Sequence, residues 1–394
     1  MTMKKLLKGG LAAVMALSMY ACSANSGGSS SSDGGAIKLG MSGPLSGGAA
    51  IYGQAVQRGA EIAIEEVNEA GKVKFELNAQ DDEADPTKSP NAYGVLKDWG
   101  MQVSLGCVTS GAGSAVSADY QNDKIFAMTP SGSSMDVILN SATNEYYGTV
   151  FQMCFTDPNQ GVASADYLKE HDNLGSKVAI IWKNDDNYST GVHDKFVEEA
   201  SKVGLEVVSD TTFNDSNDSD FSVQIKSAQD AGADILFLPI YYEPAAAILV
   251  AANQAGYKPT VFGVDGLDGI LGVEGFDTSL AEGVYLLTPF SADATDEKTV
   301  NFVTKYQEKY GEVPNQFAAD AYDVIYAYAQ ACEAGGVTAD MSPSDIADVM
   351  IEQFTSMTFD GLTGTGMTWA ETGEVSKDPK AMVIKDGAYV GVQD

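Results

Sequence analysis

The sequence predicts an α/β protein of two similar lobes, each built on a parallel sheet, and three observations lead to it. Short apolar runs alternate with helical patterns of ten to eighteen residues, the signature of βαβ units. The alternation halts at an extended stretch, Tyr147 to Phe155, and then begins again. The chain has 394 residues, enough for two domains with cores of their own.

Ile37 to Met41 reads as a buried strand running into the turn-rich Ser42-Gly43-Pro44-Leu45-Ser46-Gly47-Gly48. A helix follows from Tyr52 to Glu69, with Val56, Ala60, Ile64 and Val67 on one face and Gly71 as its stop. Val73 to Ala79 is a second strand; DDEADP then forms a turn and cap before a helix through Val95 and Leu96. Strand Gln102 to Leu105 leads into Gly106 to Tyr120, GCVTSGAGSAVSADY, where the apolar run yields to Ser, Gly and Ala and a helix opens. The first N–H groups of a helix lack internal partners and sit at the positive end of its dipole, so this turn can hold an anion without Lys or Arg. Gly111 and Gly113 would allow close approach of a ligand, although most turns of this kind only cap. Ile125 to Met128 is the next strand.

After Thr156-Asp157-Pro158 the rhythm restarts: helix Asn159 to Lys169, strand Val178 to Trp182, helix Gly191 to Val203, strand Leu205 to Val208. Helix Phe221 to Ala231, strand Ile235 to Leu238, helix Pro244 to Ala255 and strand Thr260 to Gly263 continue it. Gly283 to Pro289 reads as another crossing, followed by helices Thr299 to Tyr310 and Asn315 to Ala334, a polar segment, and a hairpin over Ala381 to Val392 about Asp386-Gly387. The predicted architecture is two Rossmann-like lobes, residues 36–155 plus 288–378 and 156–287 plus 379–394. Three crossings near Phe155, Leu287 and Asp378 join them, and the cleft between them is the expected ligand site.

Asp and Glu number 55 against 23 Lys and Arg, a net charge of −32. That balance argues against nucleic acid or an anionic membrane surface as partner, since both are bound through basic patches. Lys4, Lys5 and Lys8 precede an apolar segment, Gly9 to Tyr20, too short to span a bilayer, and Met19-Tyr20-Ala21-Cys22 resembles a bacterial lipobox. Residues 1–21 therefore read as a signal peptide with Cys22 as the lipidation site, although Met19 and Tyr20 depart from the usual pattern. Processing would remove three Lys and no acid, leaving −35. Residues 22–35, rich in Ser and Gly, read as a flexible tether reaching roughly 20 Å.

Enzyme motifs are missing from the sequence: it has no GxxxxGK[ST] loop, GxSxG elbow or HExxH. With only His171 and His193, and with Cys107, Cys154 and Cys332 in no ligand-like spacing, neither a metal site nor a cofactor is expected. The cysteines read as buried free thiols. The run Asp215-Ser216-Asn217-Asp218-Ser219-Asp220 lacks the Gly and Glu of a calcium loop, with Lys226 at the twelfth position, and reads as a solvated loop in which Asp220 caps the next helix.

An ordered set of segments carries a family resemblance: IKLGMSGPLSGGAAIYGQAVQRGAEIAIEEVN, QDDEADPTKS, GCVTSGAGSAVSADY, KIFAMTPSGSS, NDDNYSTG, ADILFLPIYYEPAAAILVAANQAG and FGVDG. Over residues 36–392 it resembles the leucine/isoleucine/valine-binding branch of ABC-importer substrate-binding proteins, with the type I periplasmic binding fold. The resemblance implies an amino-acid clamp. Ser110 and Ser133 would hold the ligand carboxylate, and the Ser131 carbonyl and Asp265 carboxylate its ammonium. Tyr52, Tyr188 and Tyr241 would wall the side-chain pocket, with Cys107 and Val108 lining it. Each residue also has a plainer reading: Ser133 as a helix cap, Asp265 as a turn former, and the tyrosines, Cys107 and Val108 as packing. A disulfide common in the family is absent, since Ala84 and Thr109 occupy its positions. The implied protein is a lipid-anchored, extracytoplasmic, monomeric receptor that passes an amino acid to a membrane permease driven by a cytoplasmic ATPase. An amide, urea or aromatic acid as ligand, a sensory role, and a secreted hydrolase are the alternatives.

Overall fold

A computed structural model describes residues 35–392; the expected signal peptide, the Cys22 lipidation site and all of the tether but Gly35 lie outside the described residues. The chain begins with β1 (Ile37–Gly43), α1 (Ala50–Ala70), β2 (Phe75–Asp81), α2 (Ser89–Trp99), β3 (Val103–Cys107), α3 (Ser110–Asp123) and β4 (Phe126–Thr129). A small hairpin of β5 (Leu139–Asn140) and β6 (Glu145–Tyr146) precedes β7 (Val150–Gln152). The first sheet has the order β2-β1-β3-β4-β7, parallel throughout. Its inner strands β3 and β4 are buried along their whole length, which is why they read as apolar runs without alternation.

The second series follows as α4 (Asp157–Glu170), β8 (Lys177–Lys183), α5 (Asn187–Val203), β9 (Glu206–Phe213), α6 (Ser222–Asp230), β10 (Ile235–Leu238), α7 (Tyr242–Gln254), β11 (Thr260–Gly263) and β12 (Tyr285–Thr288). Then come α8 (Glu297–Tyr310), α9 (Gln316–Gly335), α10 (Pro343–Phe354) and the hairpin β13 (Lys380–Lys385) and β14 (Ala388–Gly391). The second sheet runs β14-β13-β12-β11-β10-β8-β9, parallel except where β13 pairs antiparallel with β12 and β14. None of the described helices is long and apolar enough to cross a membrane.

Helices cover both faces of each sheet. On one face of the first sheet, Leu96, Val116 and Tyr120 of α2 and α3 pack with Ile125 and Ala127. On the other, Phe354 of α10 stacks on Phe126 at 5.3 Å, in a cluster shared with α1 and α9. In the second sheet Phe196 of α5 stacks on Phe237 of β10 at 4.0 Å. Side-chain caps begin most of the long helices: Asp186 accepts from the Ser189 N–H, Asp296 from Thr299 and Asn315 from Ala318. At α3 the N-cap residue, Thr109, makes no such bond.

Several expectations need correction. The segment expected to be merely polar contains α10, whose buried face is Ile346, Ala347, Met350 and Phe354, with Ser342 capping through the Asp345 N–H. Its apolar stripe has the usual width of an amphipathic helix and follows a Ser342-Pro343 start, so this helix is legible in the sequence. Strand β9 runs on to Phe213 rather than ending at Val208, because an edge strand tolerates the polar Ser209 to Thr212. Strand β2 lies two residues later than expected. Helix α5 begins at Asn187, four residues before the expected Gly191, while the readings of the cysteines and the acidic loop hold. Cys107, Cys154 and Cys332 are free and buried, the Asp215 to Asp220 loop is exposed, and Asp220 accepts the Ser222 N–H at 2.9 Å. In DDEADP, Asp81 accepts from the Leu45 and Glu83 N–H groups and Asp82 from the Ser42 hydroxyl, holding Glu83 and Ala84 in left-handed backbone.

One buried ion pair ties the last crossing to α9: the Lys377 ammonium, 0% exposed, lies 2.7 Å from Asp320 and donates to Thr363 as well. Burial pushes Asp320 up to about 6 despite this partner. Lys377→Ala would leave that carboxylate alone in the core, and we expect a loss of about 3–5 kcal/mol in urea unfolding. A loss under about 1 kcal/mol would show that the pair is not holding the crossing.

Candidate functional site

The two parallel sheets point their carboxyl ends at one another, where open α/β sheets place their ligands. From the first lobe come Tyr52 near the start of α1, Val108 to Ser110 between β3 and α3, and Ser131 to Ser133 just beyond β4. The second contributes Tyr188 in the first turn of α5, Tyr241 beyond β10 and Asp265 beyond β11. Tyr52, Val108, Ser110, Ser131, Ser133, Tyr188, Tyr241 and Asp265 line a single cavity, together with Thr109, Gly266 and Phe317. Cys107 is not among the lining residues; its side chain belongs to the cluster with Ala112, Val116 and Tyr120. Successive strand residues face opposite ways, so the exposure of Val108 to the cavity turns Cys107 into the α2–α3 layer.

Opposite walls of the cavity carry opposite hydrogen-bonding character. On the first lobe the Thr109 and Ser133 hydroxyls are buried and have no partner, beside the uncapped start of α3. Ser110 Oγ accepts the Ser134 N–H at 3.1 Å, which leaves its own proton to donate. The Ser131 hydroxyl is committed to the Val108 carbonyl at 2.5 Å, so only the backbone of Ser131 can serve a ligand. On the second lobe Asp265 is buried, its Oδ1 without a partner. Burial pushes its carboxyl up to about 7, against the pull of nearby Tyr188 and Gln160. An isolated buried oxygen of this kind costs roughly 1–3 kcal/mol, and three such atoms facing one space call for an outside partner.

Aromatic rings close the rest. Tyr52 meets Tyr241 edge-on at 5.3 Å and Phe317 at 4.3 Å, and Tyr188 stacks on Tyr241 at 5.3 Å. Their edges and faces make a wall suited to aliphatic carbon. The lobes are drawn together over it: Tyr52 Oη donates to the Gly266 carbonyl at 2.5 Å and accepts the Tyr242 N–H at 3.3 Å. Gln316, at the head of α9, donates through Nε2 to the Asp265 carbonyl at 3.0 Å and through its backbone N–H to Asp268. Gly266 has to be glycine here, since a Cβ would stand 2.6 Å from the Ile240 carbonyl and 2.7 Å from Tyr188 Oη. The gap between the lining atoms is ≈ 230 Å³, yet the centre of a water molecule can reach only ≈ 10 Å³ of it. Entry of any ligand therefore requires the lobes to part. Thr109, Gly266, Gln316 and Phe317 were not singled out from the sequence. The last two lie in an apolar-rich helix pattern that reads as core, and only the fold reveals their position.

Residues 36–388 match the family described as periplasmic binding protein. A curated relative, Leu/Ile/Val-binding protein homolog 3 of Brucella melitensis, is 26% identical over 362 residues, 91% of this chain and 94% of that protein. A branched-chain amino acid transporter substrate binding protein from Streptococcus pneumoniae, solved in complex with isoleucine, superposes with a TM-score of 0.79 at 26% identity, covering 91% of this chain and 100% of that one. A solute binding protein from R. palustris solved in complex with benzoate has the same fold, TM-score 0.79 at 19% identity, with 91% and 96% covered.

Tyr52 is the hub of the cross-lobe contacts, and Tyr52→Phe would strand the Gly266 carbonyl and the Tyr242 N–H. We expect the closed form to lose about 1–3 kcal/mol, seen as faster amide exchange at Tyr242 with an unchanged unfolding midpoint of the isolated lobes' cores. Unaltered exchange would mean that closure does not depend on this hydroxyl.

Proposed function

Because the chain belongs to the periplasmic binding protein family, a family of substrate-binding proteins rather than enzymes, we propose that it captures an α-amino acid between its lobes. One observation carries this reading: the buried Ser133 hydroxyl on one wall and the buried Asp265 Oδ1 on the other both lack partners within a single cavity. A zwitterion supplies what each lacks. Its carboxylate accepts from Ser110, Ser133 and the N–H groups at the start of α3, and its ammonium donates to Asp265 and the Ser131 carbonyl. An aliphatic side chain then lies against Tyr52, Tyr188, Tyr241 and Val108, which supports a branched-chain amino acid, as does the isoleucine bound by the S. pneumoniae relative.

The benzoate-binding neighbour demonstrates that the fold alone does not choose the ligand. An aromatic acid would satisfy the serine wall and leave Asp265 without a counter-charge, a costly arrangement. In the proposed cycle the receptor acts outside the cytoplasm as a monomer, anchored through Cys22. Lobe closure marks the loaded form for a permease and its ATPase.

A thermal-shift screen of amino acids, amides, urea and aromatic acids tests the ligand class, because a tight ligand raises the unfolding temperature by mass action. Asp265→Ala should weaken amino-acid binding by about 2–5 kcal/mol in calorimetry with the fold intact. Near-normal affinity for leucine in that variant would defeat the assignment.

Acidity gives an independent check. In the closed, empty form burial pushes Asp265 up to about 7, and only its ionised form pairs with an ammonium; with that form as the free state, affinity should fall by up to about tenfold per pH unit below pH 7 and level off above it. In the free protein the sign is reversed. Asp265 and Asp268 are both pushed up to about 7 by burial, so their contribution to stability is full below about pH 4 and is lost as pH rises toward 7. Affinity that stays flat between pH 5 and 7 would contradict the pairing.

A further inference from the structure

A second crevice of ≈ 510 Å³ opens beside the cavity at the edge of the cleft, and both lobes contribute to it. Its lining carries five carboxylates against one cation, Lys195: Asp136 comes from the first lobe, and Asp157, Asp185, Asp186 and Asp194 from the second. Most of these carboxylates are already engaged. Asp136 accepts from Asn187 Nδ2 across the cleft at 2.9 Å, Asp186 caps α5, Asp194 meets His193 at 2.9 Å, and Lys183 reaches toward Asp185 at 3.9 Å. The nearby cations are also taken, Lys183 by Asp215 and Lys195 by Glu198.

Asp157 is different. It is 0% exposed and forms part of the crevice lining, and neither of its carboxylate oxygens is held in good hydrogen-bond geometry, the one side-chain donor near it being the Ser133 hydroxyl. The chain makes room for it at Gly191, where a Cβ would stand 2.6 Å from Asp157 Oδ2. A helix-start aspartate in a purely structural role would receive backbone N–H bonds; here the cap is the preceding Thr156. The Ser133 hydroxyl has a single proton and can serve at most one of these oxygens, so the buried carboxyl still calls for a donor from outside the chain. Among the described residues no group of three or more His, Cys, Asp or Glu converges as a metal site. The width of the crevice and the dispersal of its carboxylates suit an organic cation with several N–H donors.

We propose that this crevice is a subsite for a primary alkylammonium group, bound by Asp157 within the field of Asp136, Asp185 and Asp186. Two sources share that chemistry. One is the ω-ammonium of a diamino acid whose α-groups occupy the neighbouring cavity, a version that rests on the amino-acid reading above. The other is a free aliphatic diamine, which does not.

Calorimetry with L-lysine, L-norleucine and cadaverine separates the outcomes, since norleucine lacks the second ammonium and cadaverine lacks the carboxylate. We expect lysine to bind at least tenfold more tightly than norleucine, or cadaverine to bind on its own, and the gain to disappear in Asp157→Asn. The first pattern assigns the ammonium to a clamped amino acid and the second to a free diamine. The wild-type comparison stands even if the variant fails to fold. Norleucine matching lysine while cadaverine fails to bind at millimolar concentration overturns the proposal, as does undiminished ammonium binding in a folded Asp157→Asn. Leucine or norleucine binding alone would then leave the amino-acid reading intact, whereas cadaverine binding without any amino acid would uphold the subsite and sink that reading.

Discussion

Buried polar atoms without partners cost a folded chain a few kcal/mol each, and this protein concentrates them along the seam between its lobes. The hydroxyls of Thr109 and Ser133, Asp265 Oδ1 and both oxygens of Asp157 lie there without a partner in good hydrogen-bond geometry. Other buried carboxylates are well served: Asp323 takes two N–H groups and a hydroxyl from residues 362–363, and Asp320 holds Lys377, although single oxygens of Thr149, Gln152 and Gln224 also lack partners. The contrast separates a site built to receive something from a core that only has to be stable.

The scaffold makes such a concentration tolerable by distributing it. Parallel strands end together, so the loops after β3 and β4 in one lobe and after β10 and β11 in the other converge without any of them being long. Helices cover both faces of each sheet, and one apolar cluster runs continuously from the first lobe into the second, so the polar groups at the seam sit on a well-packed base. Cross-lobe bonds from Tyr52 and Gln316 then hold the gap nearly shut, which keeps the polar atoms dry. Dryness raises the cost of an unpaired charge and strengthens any pairing made with a ligand.

Much of this was legible in the sequence, for definite reasons. Strands such as Ile235–Leu238 are buried on both faces and read as unbroken apolar runs. The α10 helix was equally legible, with an ordinary apolar stripe behind Ser342-Pro343, whereas the far end of β9 was hidden because an edge strand does not need apolar residues. At the site, Ser110, Ser133, Tyr188, Tyr241 and Asp265 came together through the ordered family resemblance, since no spacing between residues 110 and 265 encodes their proximity. Phe317 and Gln316 were invisible because α9 returns to the cleft only after the chain has crossed between sheets. Cys107 could have been placed correctly by strand alternation against Val108. Asp157 was hidden by its own context, Thr-Asp-Pro, which reads as an ordinary helix start.

Closure, charge and binding are consequently one equilibrium. With the lobes together, burial pushes Asp265 up to about 7, so that near neutrality the carboxyl is only partly ionised, and the space around it barely admits a water molecule. Opening rehydrates the carboxyl and lets it ionise, which is the form that attracts an ammonium. A cationic group carried inward on closing replaces the lost water, so the closed form gains a pairing that the empty closed form lacks. The difference between those two closed forms, rather than the cross-lobe bonds they share, sets how far a ligand shifts the population. With a net charge of −32, the chain's field draws cations of every kind toward the cleft. Discrimination has to come from the serine wall, which only a ligand that also carries an anionic group can satisfy.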